Sequence, residues 1–132
     1  MRRYLLDTTV VIDWWRGSEA VVTWLALRAS EGSVLCLSAI TVSEALAGVL
    51  DESRAARQAQ LRSFRFLPLT FEAAARAGQM RHEHARQGQP VPLPDVLQAS
   101  IAIEADCTVV TSNPRHFPGV RTIDPRDTRG SG

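Results

Sequence analysis

The sequence predicts an α/β domain in which a mainly parallel sheet is covered by helices on both faces. The candidate strands are short, rich in β-branched residues and without polar alternation, as is typical of strands that are buried on both sides. Helical segments separate most of them, which is the arrangement that parallel crossovers need. The chain has 132 residues, of which 45% are hydrophobic and 22% charged, so it can build one such core.

Each predicted element has its own local signal. The strands are apolar runs bounded by turn residues, and the first, Tyr4–Leu6, ends beside Asp7. Ser18 and Thr70 precede segments with helical periodicity and can cap them. In chain order we predict a strand at 4–6, a helix at 18–29, a strand at 34–37, helices at 41–50 and 52–64, a strand at 66–69, helices at 70–86 and 95–105, a strand at 108–111 and an edge strand at 120–123.

Three tryptophans cluster near the N-terminus. Trp14 and Trp15 are adjacent and cannot both face one core, so we expect at least one tryptophan to be exposed or at an interface. The helix at 18–29 is expected to face the core through an apolar stripe made of Val21, Val22, Trp24, Leu25 and Leu27.

One irregular segment, at 88–94, has three prolines within five residues, which forbids a helix there. We therefore expect a loop that aims the next helix. The domain is expected to span 1–127, with a flexible tail or expression scar at 128–132.

Composition excludes several kinds of chemistry. All 15 basic residues are Arg, so P-loop, Schiff-base and kinase mechanisms lack their Lys. Cys36 and Cys107 lie in separate apolar runs, which favours buried thiols over a disulfide or a zinc site. Without a signal peptide or an apolar run of about 20 residues, a cytoplasmic protein with no membrane partner is expected.

Four polar residues lie where predicted strands and helices meet. Asp7 ends the first strand, and Glu44 lies on the helix after the second. Asp95 opens the helix before the strand at 108–111, and Asn113 follows that strand. Because the carboxyl ends of parallel strands share one edge of the sheet, we expect these side chains to form one pocket.

Each of these residues also has a purely structural interpretation. Glu44 could complete a capping box that starts at Thr41. Asp95 could favour the first turn of its helix, and Asn113 could open a turn. Asp7 is harder to explain in this way, because burying a carboxylate costs several kcal/mol unless it is paired or bound to a metal.

Three converging carboxylates with no Lys nearby would repel one another and raise each other's pKa. A divalent cation removes that conflict, and ligands that are all oxygen favour Mg²⁺ or Mn²⁺ over Zn²⁺. Such an ion suits phosphodiester hydrolysis, because it polarises the phosphoryl group, lowers the pKa of an attacking water and neutralises charge on the leaving oxygen.

Four segments follow one another in this order: LLDTTVVID at 5–13, SAITVSEALAGV at 38–49, PLPDVLQASIAIEADCTVVTSNPRHF at 92–117 and VRTID at 120–124. Together they resemble PIN-domain ribonucleases and in particular the VapC-type toxins of bacterial toxin–antitoxin pairs. The resemblance covers residue 4 to about residue 125. It implies a three-layer α/β/α fold and a Mg²⁺- or Mn²⁺-dependent endoribonuclease that cleaves structured RNA (tRNA or rRNA), leaves 5′-phosphate and 3′-hydroxyl ends, and inhibits translation.

The resemblance extends to individual site residues. Asp7, Glu44 and Asp95 match the family's acidic triad, which implies that they hold the metal. The fourth position, often Asp in the family, is Asn113, whose amide can orient a metal water but adds no charge. This departure favours one bound ion over two.

Two further sets of residues complete the predicted site. Thr8 and Thr111 match positions that support the acidic residues, although each hydroxyl could equally serve a local turn. Seven Arg and two Glu between Arg54 and Arg86 give a local charge of +5, which is either a solvated helix face or a rim for RNA phosphates. The residues expected to bind RNA are Arg76, Arg81, Arg86, Arg115 and His116.

The resemblance also implies a homodimer and a cognate antitoxin, whose C-terminal segment wraps the toxin and can place an Arg in the acidic pocket. Two alternatives stay open. One is a PIN-like module that lost activity through Asn113 and binds RNA or a protein without turnover. The other is a metal-dependent phosphoesterase that acts on DNA or on a small phosphate ester.

Overall fold

The fold is a five-stranded parallel sheet between two layers of helices, seen in a computed structural model that describes residues 2–127. In chain order the elements are β1 (Arg3–Leu6), α1 (Thr8–Trp15), α2 (Glu19–Ser30), β2 (Val34–Ser38), α3 (Ala39–Ala47), α4 (Asp51–Leu61), β3 (Arg65–Leu67), α5 (Phe71–Arg86), α6 (Leu93–Ala105), β4 (Thr108–Val110), a short 3₁₀ turn (Pro114–His116) and β5 (Thr122–Ile123). The predicted α/β class and three-layer architecture are confirmed. The tail expected at 128–132 lies outside the described residues.

The strand order creates a crevice at the carboxyl edge of the sheet. The order is β3-β2-β1-β4-β5, and all four neighbouring pairs are parallel. The chain builds outward from β1 through β2 to β3 and then returns to the other side of β1 as β4 and β5. Ligands of open parallel sheets bind at this kind of switch point, which here lies between the carboxyl ends of β1 and β4.

Alternation along the central strand fills both cores. Tyr4 and Leu6 face one side of the sheet and Leu5 faces the other, as the two-residue period of a strand requires. The first core is completed from α1–α4 by Val10, Val11, Val21, Leu25, Ala45 and Leu61. The second is completed from α5 and α6 by Ala73, Ala99, Ile101 and Ala102. The small residues of α5 and α6 let these two helices pack closely on the sheet.

Helix α1 is absent from the elements predicted above. Its sequence is rich in the β-branched residues Thr, Val and Ile, which disfavour a helix on propensity alone. The Asp7 carboxylate accepts from the Thr8 amide and so caps the helix at its start, while Val10 and Val11 are buried in the first core. Tertiary packing and the cap therefore outweigh propensity.

Two predicted helix starts are wrong. Helix α3 starts at Ala39, and its cap is Ser38, whose hydroxyl accepts from the Thr41 amide. Thr41 therefore lies inside the helix, and the capping-box interpretation of Glu44 is wrong. Helix α6 starts at Leu93, since a proline in the first turn replaces an amide that would have no helical partner. Helices α3 and α4 and strand β3 also end earlier than predicted, at 47, 61 and 67 instead of 50, 64 and 69.

The N-terminal tryptophans are not exposed, so of the two alternatives expected above only a place at an interface stays a prediction. All three tryptophans are half-buried against the first core, and none is exposed. Adjacent positions can both pack because Trp14 meets Phe64 edge-on, while Trp15 lies beneath the Arg57 guanidinium. In the stripe of α2, Val22 and Leu27 are 42% and 51% exposed, so they do not face the core.

The two cysteines are free and buried, as expected. Within residues 2–127, no helix is both long and apolar enough to cross a membrane.

Candidate active site

Asp7 stands at the switch point, directly after β1, and is 8% exposed. Its amide donates to the Val110 carbonyl at 2.9 Å, which ties it to the end of β4. Its carboxylate accepts from the Thr8 amide at 2.8 Å, from Thr111 Oγ1 at 2.8 Å and from Thr9 Oγ1 at 3.3 Å. Three donors therefore fix the orientation of this carboxylate between the two central strands.

The environment of Asp7 opposes its negative charge. Burial raises the pKa of Asp7, and the nearby charge of Glu44 raises it further. The hydrogen bonds from Thr111, Thr8 and Thr9 lower that pKa without reversing the direction. The negative charge of ionised Asp7 is therefore unfavourable in this environment, and a cation in the crevice would stabilise it.

Glu44 approaches the crevice from α3. It is exposed, and its Oε1 accepts from Thr8 Oγ1 at 2.6 Å. Thr8 therefore contacts two acidic residues at once, Asp7 through its amide and Glu44 through its hydroxyl. Thr8 is one of the two threonines that the sequence predicts to support the acidic residues, and these two hydrogen bonds are its contacts with them.

Asp95 lies in the first turn of α6, and its Oδ2 is 3.0 Å from His116 Nδ1. Burial raises the pKa of Asp95, and the charges of Asp7 and Glu44 raise it further, while His116 lowers it. These influences show that the three predicted acidic residues lie within electrostatic range of one another.

The segment after β4 closes the crevice. The Asn113 amide donates to Thr111 Oγ1 at 3.0 Å, and the Ser112 amide donates to Thr9 Oγ1 at 3.4 Å. Asn113 is half-buried, and its side chain does not cap the 3₁₀ turn that follows. The backbone amides of Ser112 and Asn113 thereby anchor the loop beside Asp7.

The donor chemistry of the site fits Mg²⁺ or Mn²⁺, but the side chains do not form a closed cage. Among residues 2–127, no group of three or more His, Cys, Asp or Glu side chains is close enough together to hold a metal ion. Mg²⁺ does not need such a group, because it commonly binds through one or two carboxylates and keeps several waters. Asp7 is buried and Asp95 half-buried at the crevice, so these two carboxylates could serve, with the exposed Glu44 held nearby by Thr8.

The predicted RNA-binding residues are scattered. Arg76 donates to the Ser100 carbonyl and Arg81 to the Val91 carbonyl, both at 3.4 Å, so these two also tie α5 to its neighbours. Arg86 is exposed at the end of α5, and Arg115 is exposed on the 3₁₀ turn. Only His116 is in contact with one of the three acidic residues.

Sequence reasoning missed a buried polar network next to the acidic residues. Ser38, Thr41 and Gln98 are buried, and their side chains are hydrogen-bonded to one another. The available signal was Gln98 itself, a polar residue at a core position of the apolar stretch VLQASIAI.

Comparisons with known proteins agree with this architecture. A PIN domain family model matches residues 4–121. Ribonuclease VapC19 of Mycobacterium tuberculosis is 30% identical over 121 residues, which are 92% of this chain and 97% of the relative. The tRNA(fMet)-specific endonuclease VapC of Shigella flexneri is 33% identical over 132 aligned positions, covering 94% and 98%. Among solved structures, DNA-bound VapBC of Salmonella typhimurium is 30% identical with a TM-score of 0.80, covering 95% and 99%.

Proposed function

The chain belongs to the PIN domain family, and from this premise we propose that it is a divalent-metal-dependent endoribonuclease and the toxin of a toxin–antitoxin pair. The observation that carries the proposal is the position of Asp7. A buried carboxylate is held by three donors at the switch point of a parallel sheet, with two further carboxylates in electrostatic range. Such an arrangement of carboxylates is costly for the fold unless a cation occupies the crevice.

Asp7 and Asp95 would hold Mg²⁺ or Mn²⁺, with Glu44 and the Asn113 amide assisting at the edge of the site. When bound, the ion supplies polarisation of the phosphodiester, activation of water and neutralisation of the leaving oxygen. Asn113 is an uncharged amide at a position that is often Asp in the family, and this favours one bound ion over two.

The hydroxyls around the acidic residues hold the carboxylates in position. Thr111 and Thr9 hold the Asp7 carboxylate through its Oδ2, and Thr8 holds Glu44. Since these hydroxyls come from α1 and from the segment after β4, the acidic residues are held in place before any ligand binds.

We propose structured RNA, tRNA or rRNA, as the substrate, with cleavage in the cytoplasm inhibiting translation. The Shigella flexneri relative is named for tRNA(fMet), which favours a tRNA. Arg115 and Arg86 are exposed cations suited to contact phosphates, and His116 stands at the acidic site itself. A cognate antitoxin completes the proposal, because a solved relative is VapBC. A homodimer is added on the family resemblance alone.

The test is cleavage of a total tRNA and rRNA pool by antitoxin-free protein, with Mn²⁺, with Mg²⁺ and with EDTA. Asp7→Asn is the site variant, and Asp51→Asn is the matched control, because the Asp51 side chain is fully exposed on α4. We expect discrete fragments that need metal, persist in Asp51→Asn and disappear in Asp7→Asn. Cleavage that survives in Asp7→Asn would contradict the proposed site.

A second candidate, a PIN-like module that binds without turnover, is favoured by two observations. Asn113 stands where the family often has an acid, and the acidic side chains of residues 2–127 form no three-ligand group. Retained Mn²⁺ binding with no fragments from any RNA in the pool would favour this module over the nuclease.

A further inference from the structure

A buried polar network joins the elements that carry the acidic residues. Gln98 is 1% exposed, and Ser38 and Thr41 are fully buried. Ser38 Oγ donates to Gln98 Oε1, while Gln98 Nε2 donates to Thr41 Oγ1 at 2.6 Å and to the Leu6 carbonyl at 3.2 Å. Thr41 Oγ1 donates to the same carbonyl at 2.8 Å. One carboxamide thus connects the carboxyl ends of β1 and β2 with α3 and α6.

Hydrogen-bond chemistry fixes the orientation of this carboxamide. The Leu6 carbonyl can only accept, so the nitrogen of Gln98 must face it, and the Ser38 hydroxyl then donates to the oxygen. Both amide protons are used, and the Leu6 carbonyl accepts two bonds. A buried polar group that loses a hydrogen-bond partner is costly. The network therefore specifies a single arrangement of the elements that it joins, the one in which all of these hydrogen bonds form.

Each part of the network is close along the chain to one carboxylate. The last residue of β1, whose carbonyl accepts both bonds, immediately precedes Asp7. Thr41 and Glu44 are three residues apart on α3, as are Asp95 and Gln98 on α6. Residues three apart on a helix share a face, so the network lies about one turn from each of these carboxylates.

We propose that Gln98 is a positioning residue, which holds the three carboxylates in the arrangement that binds the divalent ion. This inference rests on the proposed function and deepens it. Removing the carboxamide frees β1, α3 and α6 to shift against one another, and a displacement of about 1 Å at the crevice is enough to weaken a site built from separate elements.

Ser100 provides a contrast within the same helix. It is also fully buried on α6, and its hydroxyl donates to the Ala73 carbonyl at 2.6 Å, which joins α6 to α5. Helix α5 carries none of the three carboxylates. Ser100→Ala therefore removes a buried hydrogen bond from α6 without releasing the acidic residues, and it controls for a general loss of stability.

The experiment measures Mn²⁺ affinity in the absence of RNA, together with kcat and KM for cleavage and urea stability. The variants are Gln98→Leu, Ser100→Ala, and the pair Thr41→Val and Thr41→Ser. In Gln98→Leu and Thr41→Val we expect the Mn²⁺ Kd to rise at least about tenfold and kcat to fall about as much, with KM changed less. Ser100→Ala and Thr41→Ser, which keeps the hydroxyl, should stay within about twofold of wild type.

Three outcomes would overturn the inference or its premise. Wild-type Mn²⁺ affinity in folded Gln98→Leu and Thr41→Val overturns the positioning role, as does equal weakening in Ser100→Ala. If Gln98→Leu does not fold, the Thr41 pair decides in the same way. Wild-type protein that neither binds Mn²⁺ nor cleaves RNA instead overturns the proposed function, and this result is distinct from the other two.

Discussion

Thr111→Val removes the hydroxyl that joins the candidate active site to the end of β4. That hydroxyl donates to Asp7 Oδ2 at 2.8 Å and accepts from the Asn113 amide at 3.0 Å. A hydrogen bond to a charged group contributes about 1.5–3 kcal/mol, and a donor left without an acceptor costs about 1–3 kcal/mol when it is buried. The Asn113 amide is only partly buried. We therefore expect a loss of about 3 kcal/mol relative to Thr111→Ser, which keeps the hydroxyl.

The same substitution changes the pH dependence of stability. The Thr111 hydroxyl lowers the pKa of Asp7, so its removal raises that pKa further. A variant with the higher folded-state pKa loses stability as the pH rises through that pKa. The difference between Thr111→Val and Thr111→Ser should therefore be largest at neutral pH and shrink on acidification.

Urea unfolding followed by tryptophan fluorescence, in EDTA at neutral pH and at acidic pH, measures both effects. All three tryptophans pack against the first core and report its loss. In thermal unfolding the neutral-pH difference corresponds to roughly 10 °C for a domain of this size. Equal stability of the two variants at neutral pH, or a difference that grows on acidification, would refute the reasoning.

Three further predictions follow from burial and charge at single positions. Because burial raises the pKa of Asp7, its ionisation destabilises the metal-free fold. In EDTA, Asp7→Asn should be more stable than wild type at neutral pH, and its thermal advantage should fall as the pH drops; a constant advantage would argue against this cause. His116 lowers the pKa of Asp95, so His116→Ala should raise that pKa, as read from the carboxyl ¹³C shift during titration; an unchanged midpoint would contradict the contact. Both thiols should resist a thiol reagent in native protein and react in urea, whereas prompt native labelling of either would contradict their burial.

Elements with strong local signals could be predicted from the sequence. The apolar runs of β1, β2 and β4 and the Thr70 cap of α5 each act within a few residues, and all are present in the fold. Helix α1 could not be predicted from propensity, since its β-branched residues oppose a helix. The sequence favours a site role for Asp7 and does not reveal that the same carboxylate caps this helix.

The acidic residues of the candidate site could be predicted because strand ends in a parallel sheet meet at one edge. The Gln98 network could not be predicted, because its partners are 57 to 92 residues distant in sequence and meet only when α3 and α6 pack beside β1. The same limit applies to the arginines. Clustered positive charge between Arg54 and Arg86 does not indicate that Arg76 and Arg81 donate to backbone carbonyls.

Direct titration of metal-free protein with Mn²⁺ tests the central claim, that the carboxylates of Asp7, Glu44 and Asp95 form a divalent-metal site. The titration needs no RNA, and the electron paramagnetic resonance signal of free Mn²⁺ reports binding. It uses wild type, Asp7→Asn and the exposed control Asp51→Asn. We predict one bound ion in wild type and in Asp51→Asn, and none in Asp7→Asn at the same concentrations. Equal binding by Asp7→Asn, or no binding by folded wild type, would contradict the account.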